Sequence, residues 1–378
     1  MKIIITGGAG FIGRHLARRL LSDGHQVRLF DSFSVQIHGT ASPSEVLGEL
    51  ATACEVIRGD VRDREALGAA LADQDVVVHL AAETGTGQSM YEIERYVDVN
   101  SRGTAVLLDL LANSAGSIKR VVVASSRSVY GEGRYQCAEH GVVYPLPRKK
   151  AAMDAGDFAV KCPQCDCACS EMSTDESSKL HPTSIYGITK LNQEQLVLVA
   201  TRALGLGGVA LRYQNVYGPG QSLNNPYTGI LSIFSRLLQA GQKINIFEDG
   251  EESRDFVYID DVVEATTLAI CGGDDVRGVY NVGTGVKTTV MEVANTLKQV
   301  YGSSSLLEIS GDYRIGDIRH NFADLEQARQ QLGFSPKVDF TTGMARFSEW
   351  VLSEGKYETC GTSYEQSIEE LRARGLMK

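Results

Sequence analysis

No apolar run in this 378-residue chain approaches the ~18 residues of a membrane-spanning helix. The opening stretch Met1-Lys2-Ile3-Ile4-Ile5-Thr6 is apolar over too few residues for a secretory signal. Positive charge is also short: 37 Lys and Arg against 47 Asp and Glu leave a formal charge of −10. Such a surface repels nucleic acid and anionic lipid on average, so neither is an expected partner, while local basic sites for phosphate stay open. Repeats, coiled-coil heptads and low-complexity tracts are missing as well. What remains has the composition of a soluble globular protein, 43% hydrophobic and 22% charged, and the length for one large or two medium domains. The expected location is the cytoplasm.

Cysteine is present but unevenly placed. Cys54, Cys271 and Cys360 are scattered, whereas Cys137, Cys162, Cys165, Cys167 and Cys169 crowd one region. In a compartment that keeps thiols reduced, crowding points to a metal rather than to disulfides.

The N-terminal third has a clear order. Residues 2–6 form a short β-branched run that enters Gly7-Gly8-Ala9-Gly10-Phe11-Ile12-Gly13, and residues 11–21 then carry helical apolar spacing through Ile12, Leu16, Leu20 and Leu21. Strand, glycine turn and helix in this order are the context of a dinucleotide-binding fingerprint. Gly7 permits the turn, Gly10 lets backbone approach a pyrophosphate, and Gly13 lets the helix pack on the strand, so Gly7, Gly10, Phe11, Ile12 and Gly13 are candidate cofactor contacts. The helix N-terminus adds free N–H groups and a positive dipole end. A second strand at 26–30 ends in Asp31, 18 residues after Gly13. A carboxylate there accepts from ribose hydroxyls and repels a 2′-phosphate, which favours NAD over NADP; the alternative is an acid that caps the following turn. Strands at 56–58, 76–80 and 121–124, with helical patterns between, extend a Rossmann-type doubly wound parallel sheet. Asp60 and Val61 follow the third strand near the expected adenine, and Leu80-Ala81-Ala82 is small enough for a cofactor to lie across it, or simply for close packing.

Tyr186 and Lys190 stand four apart. On a helix they share a face, which would set the ammonium beside the phenol and favour its ionised form. A Tyr-x-x-x-Lys pair alone more often marks a solvated helix face. Downstream of the glycine turn it outlines a redox enzyme.

With Asp60-Val61-Arg62-Asp63, His79-Leu80-Ala81-Ala82, Ser125-Ser126-Arg127-Ser128-Val129-Tyr130-Gly131, Leu211-Arg212-Tyr213-Gln214-Asn215-Val216-Tyr217-Gly218-Pro219-Gly220, Arg254-Asp255-Phe256-Val257 and Arg314-Ile315-Gly316-Asp317 added, the chain resembles the extended short-chain dehydrogenase/reductases. Within them it is similar to the nucleotide-sugar epimerases and dehydratases, and residues 213–230 look most like a bacterial subgroup similar to dTDP-L-rhamnose 4-epimerases. The resemblance implies that Ser126 hydrogen-bonds the reacting sugar hydroxyl, that Tyr186 removes its proton, and that Lys190 holds the nicotinamide ribose. It implies that Asn100 helps place the cofactor, that Asn215, Arg254 and Arg314 contact the diphosphate, and that Asp317 touches a ribose. It further implies a smaller mixed C-terminal domain over the nucleotide sugar, some chain passing back to the first domain, and a homodimer built on helices near 100–111 and 184–200. The boundaries expected are 1–214 for the NAD-binding domain, with a cysteine-rich insert at 131–182, and 215–378 for the sugar-binding domain. Helices at 231–238 and 260–270 and a strand at 244–247 are expected there, with Arg319 and His320 at the surface or an interface, and a tail beyond Trp350 only partly ordered.

Where sugar 4,6-dehydratases follow the catalytic hydroxyl with an acidic pair, this chain has Arg127 and Ser128. Elimination of water then lacks its proton donor and acceptor, whereas epimerisation needs only the tyrosine and NAD. A 4-epimerase working through a 4-keto sugar is the leading reading. A reductase or dehydratase of the same superfamily and a non-catalytic NAD-binding sensor are the alternatives, the last disfavoured by an intact Ser126, Tyr186 and Lys190.

The insert adds 55 residues between Tyr130 and Tyr186, long for a structureless connection. Cys137-x-x-His140 and Cys162-x-x-Cys165 are separated by 21 residues and form two ligand pairs suited to a tetrahedral structural zinc. Cys167 or Cys169 in place of His140, or a disordered loop with reduced thiols, are the alternatives. The insert's place in the sequence puts it beside the active site, where it would limit which sugars enter.

Overall fold

Ile3, Ile4 and Ile5 are fully buried, on both faces of the strand Lys2–Thr6, as a strand in the interior of a parallel sheet requires. Val76, Val77 and Val78 of Val76–His79 and the whole of Arg120–Ser126 repeat the pattern. The structure, a computed structural model, describes residues 1–113, 116–223, 229–355 and 360–378, with the side chains of 360–363 outside the description. Residues 224–228 of the motif quoted above and the Cys360 side chain therefore lie outside the described residues.

Seven parallel strands form the central sheet, in the order Gly278–Val282, Gly207–Tyr213, Arg120–Ser126, Val76–His79, Lys2–Thr6, Gln26–Asp31, Glu55–Arg58. Ile3 pairs with Val27 on one side and Val76 on the other. Chain order thus reverses at the first strand, and in such sheets the crevice at the carboxyl ends beside the reversal is the ligand site. The expected doubly wound α/β architecture is the one observed, with each anticipated strand present. Two of its strands went unread: Gly207–Tyr213, and Gly278–Val282, which returns to the sheet edge from beyond residue 215.

The helix Phe11–Ser22 buries Gly13, Leu16, Ala17 and Leu20, a face spaced by three and four residues, and packs against the helix Ile259–Cys271. Helices Ile230–Gln239 and Ile259–Cys271 and strand Ile244–Ile246, paired with Leu307–Ile309, match the patterns read in the second half. Among the described residues no helix is long and apolar enough to cross a membrane.

One expectation needs correction. Arg319 is buried, not at the surface: its guanidinium meets Glu248 at 2.6 Å and Asp249 at 2.7 Å, and its backbone N–H donates to Glu132. A cation stays inside only when carboxylates meet it, and these lie about 70 and 187 positions away in sequence, where no local pattern reveals them. Its neighbour His320 is half-buried and bonds Ser253 Oγ at 2.8 Å across a short strand pair. In the described part of the chain beyond Trp350, contacts with the fold are made near its end. Helix Cys360–Ala373 is followed by Met377, which is buried and bridges Arg314, while the Ile315 N–H donates to the Leu376 carbonyl.

His79 closes the fourth strand in full burial, with Thr6 Oγ1 2.7 Å from Nδ1 and Thr104 Oγ1 3.0 Å from Nε2. Burial, helped by the positive Lys190, pushes this imidazole down to about 3. An unfolded histidine takes its proton near ~6.5. Between these two values only the unfolded chain is protonated, so stability is complete above about pH 6.5 and is lost progressively as pH falls towards 3. His79→Gln is expected to flatten that acid slope in urea-midpoint measurements across the window; an unchanged slope would show that the ring titrates normally.

Candidate active site

The glycine turn is built for close approach. Gly7 has φ +70°, and a Cβ there would sit 2.8 Å from the Ala81 nitrogen, so the turn touches the end of the fourth strand. A Cβ on Gly13 would fall 2.7 Å from the carbonyl oxygens of Gly7 and Gly8, which lets the helix start directly on the turn. No side chain caps that helix, leaving its first-turn amides at Phe11 and Ile12 to an anion. Asp31 accepts from the Ala9 N–H at 2.9 Å and the Phe33 N–H at 2.8 Å, so its carboxylate braces the turn and retains further acceptor capacity. The candidate cofactor residues of the turn, Asp31 and the segment Leu80-Ala81-Ala82 thus meet at one end of the sheet.

The others are more engaged in structure. Asp60 holds the Arg62 guanidinium through both oxygens, at 2.9 and 2.6 Å, and Arg62 reaches on to Asp98. Val61 is buried against Gly103, whose added Cβ would lie 2.6 Å from it. Asn100 is fully buried. Its amide accepts from the Glu83 N–H and donates to the Glu83 carbonyl and Thr189 Oγ1, tying the loop after the fourth strand to the helix Ile185–Ala203.

That helix carries Tyr186 in its first turn and Lys190 one turn on, with Ser184 Oγ accepting from the Gly187 N–H as its N-cap. Ser126 ends the strand Arg120–Ser126 opposite them, and its Oγ accepts from the Ser128 N–H. Burial raises the Tyr186 phenol, opposed by a hydrogen bond with Ser126 and by the charge of Arg127. Lys190 donates to the Ala124 carbonyl at 3.0 Å, and burial pushes its ammonium down to about 7. Arg127, adjacent to Ser126 in sequence, is a cation acting on the phenol that the Tyr186–Lys190 spacing did not reveal.

Arg127 also gathers the sugar side. Its Nε donates to Asn215 Oδ1 at 2.7 Å, and Arg254, Asp317 and Glu252 share its electrostatic surroundings. Crowding of this kind, burial first and the like charge of Arg254 second, lowers it to about 9. Arg254 donates to the carbonyls of Ser253, Ile318 and Arg319. Arg314 places its guanidinium 5.1 Å above the Phe247 ring. A cavity nearby is lined by Asp317 and Thr183 together with Glu132, Pro147 and Arg148 of the insert. These insert residues were not read as site residues. Glu132, two after Tyr130, had a local signal; Arg148, buried between Glu132 at 3.3 Å and Glu248 at 2.7 Å, had none. In the insert itself, Cys137, His140, Cys162 and Cys165 bring their ligand atoms within 4.8 Å of one another.

Sheet, glycine turn and crevice define an enzyme of the dinucleotide-binding, short-chain dehydrogenase/reductase class. The chain belongs to the NAD dependent epimerase/dehydratase family, whose model matches residues 3–150 and 165–283 and passes over the middle of the cysteine-rich insert. It is 37% identical to the dTDP-L-rhamnose 4-epimerase of Burkholderia thailandensis over 93% of this chain and 95% of that protein. The UDP-glucose 4-epimerase of Mycolicibacterium smegmatis is 31% identical over 93% and 98%. Among solved structures, UDP-glucose 4-epimerase of Thermotoga maritima with UDP-glucose superposes with a TM-score of 0.75 at 30% identity, over 94% of this chain and 99% of that one. UDP-glucuronic acid 4-epimerase of Bacillus cereus, in complex with UDP-glucuronic acid and NAD, gives 0.77 at 26% identity, over 94% and 100%. The expectation of a nucleotide-sugar epimerase is met by these relatives.

Proposed function

We propose that the protein is an NAD-dependent nucleotide-sugar 4-epimerase acting through a transient 4-keto sugar on a dTDP- or UDP-linked hexose or deoxyhexose. The observation that carries this reading is the grouping of Ser126, at the end of its strand, with Tyr186 and Lys190 on the helix Ile185–Ala203, and the cation Arg127 at the position next to Ser126. Ser126 holds the C4 hydroxyl, and Tyr186 Oη takes its proton and returns it. Arg127, facing the phenol, favours the phenolate at the moment of transfer. The cradle at Gly7 and Gly13, the open amides of Phe11 and Ile12, and Asp31 at the second strand end fit NAD, with Asp60, Val61, Leu80, Ala81 and Ala82 along its adenosine and nicotinamide halves. Bound there, NAD supplies the acceptor and donor of hydride, so no net redox change accumulates. Lys190 holds the nicotinamide ribose, Asn100 positions the loop beneath it, Asn215, Arg254 and Arg314 take the diphosphate, and Asp317 a ribose. The carboxyl-terminal part from 215 supplies most of the sugar-nucleotide contacts. A homodimer through the helices around 97–113 and 185–203 is supported by the exposed apolar side chains of Val97, Ile188 and Val199 on them and of Ile93 just before the first.

The test is incubation of the purified enzyme, without added reductant, with a panel of UDP-, dTDP- and GDP-sugars, following C4 configuration by NMR. Interconversion of one epimer pair with no net NADH is the expected result. Turnover only with stoichiometric NADPH would replace epimerisation by reduction.

A further inference from the structure

Around its cysteines the insert is a small sheet with its own small core, while Met153 and Phe158 pack separately with Tyr313 and Thr174 bridges Ala323. Strand Tyr135–Cys137 pairs with Gly141–Val143 in a hairpin and with Ser170–Glu171 on its other side, and its apolar interior is Tyr135, Val143 and Val160 with the side chains of Cys137 and Cys162. Five buried residues cannot stabilise a segment of this length alone. The hairpin turn carries His140, and the turn that follows Cys162 carries Cys165.

These two turns face each other with a defined geometry. Cys137 Sγ lies 3.6 Å from His140 Nδ1 and 3.7 Å from Cys165 Sγ, and Cys162 Sγ lies 3.6 Å from the same Nδ1. A tetrahedral zinc with Zn–S of about 2.3 Å and Zn–N of about 2.0–2.1 Å sets its sulfurs ~3.8 Å apart and sulfur to nitrogen ~3.6 Å. The observed separations are those of a coordination shell, and the sulfurs stand well outside bonding distance of each other. The Gln164 N–H is directed at Cys162 Sγ, 3.5 Å away, the outer-sphere contact that stabilises a metal thiolate. Cys167 is exposed, and it and Cys169 lie outside the four-ligand group.

We propose that Cys137, His140, Cys162 and Cys165 bind one Zn²⁺ in a closed structural site. Four protein ligands leave no open position, so the metal takes no part in the sugar chemistry. Its effect on the active site is mechanical. The 21 residues between His140 and Cys162 become a loop closed by the metal, and that loop contributes Pro147, Arg148, Lys150 and Met153 to the cavity that Thr183 and Asp317 also line. The metal thereby fixes one wall of the substrate cavity; this last step, unlike the site itself, rests on the proposed function.

The test uses the full chain, purified without chelators or a metal-affinity step. Elemental analysis is expected to give about one zinc per chain, and the cobalt-exchanged protein to show thiolate-to-metal charge transfer with the intense visible bands of tetrahedral coordination. Cys137→Ser/Cys162→Ser should lose the metal, and Cys167→Ala should keep it. A wild-type chain with no zinc whose cobalt form lacks the charge-transfer band overturns the site, as does full zinc content in the double variant. Because metal content and spectrum do not depend on substrate, zinc-loaded protein that epimerises nothing upholds the site and removes only the functional reading. With both in place, mild removal of the zinc is expected to raise KM for the nucleotide sugar several-fold and to expose residues 141–161 to protease, with NAD retained; unchanged KM and protection would sever the metal from the cavity wall.

Discussion

Tyr186→Phe is expected to lower kcat by roughly a thousand-fold or more, within the range a positioned acid–base group supplies, while NAD content and folding stay as they are. The substitution removes one oxygen whose contact is the Ser126 hydroxyl, and the ring remains packed in the first turn of its helix. KM should therefore move little, and the loss should appear in single-turnover experiments with substrate already bound. The phenol is raised by burial and held back by Ser126 and Arg127, so the enzyme's activity should climb with pH as this group deprotonates, and the variant's residual activity should not. Near-normal turnover by the phenylalanine variant would remove the tyrosine from the mechanism.

Arg212→Leu is expected to cost about 3–5 kcal/mol of stability, the usual penalty for stranding one partner of a buried ion pair. Arg212 meets Glu194 through two bonds, at 2.6 and 3.0 Å, and donates to the Tyr130 hydroxyl at 2.7 Å and the Glu176 carbonyl at 3.1 Å. Glu194 also accepts from Ser125, and Tyr130 donates to Asn281. Burial alone would lower the guanidinium, and the bond to Glu194 more than reverses it, so the pair is charged in the folded state. One network thereby joins three neighbouring strands to the Tyr186 helix and the end of the insert. Urea unfolding reads the loss directly, and Arg212→Leu/Glu194→Leu should recover part of it because no carboxylate is left unpaired. A single-variant change below about 1 kcal/mol would show that solvent already compensates the pair.

The sequence was legible where function or burial repeats along the chain. Consecutive β-branched residues at 3–5, 76–78 and 121–123 can only be interior strands, and the glycine turn had a strand before it and a helix after it. The spacing of Cys137-x-x-His140 and Cys162-x-x-Cys165 is local within each pair, and these four side chains do come together while Cys167 and Cys169 lie outside the group. What escaped was set by partners far apart. Nothing near Arg319 announces that Glu248, Asp249 and Glu132 will enclose it, and nothing near Met377 announces Arg314. The strand Gly278–Val282 is short, bears the polar Asn281 at its centre line, and earns its place by pairing with Gly207–Tyr213 rather than by a pattern of its own. Arg127 was visible as a departure from dehydratase wording, yet its reach to Asn215 and its influence on Tyr186 needed three dimensions.

By bonding the Ala9 and Phe33 amides, Asp31 fastens the turn to the second strand with the fold's own hydrogen bonds. The loop has then lost its conformational freedom at folding, so a dinucleotide that settles there meets a receptor already set and surrenders mainly its own motion. Association of this kind should proceed without a slow ordering phase, and the Ala9 amide should exchange with solvent deuterium as slowly in the empty protein as in the loaded one.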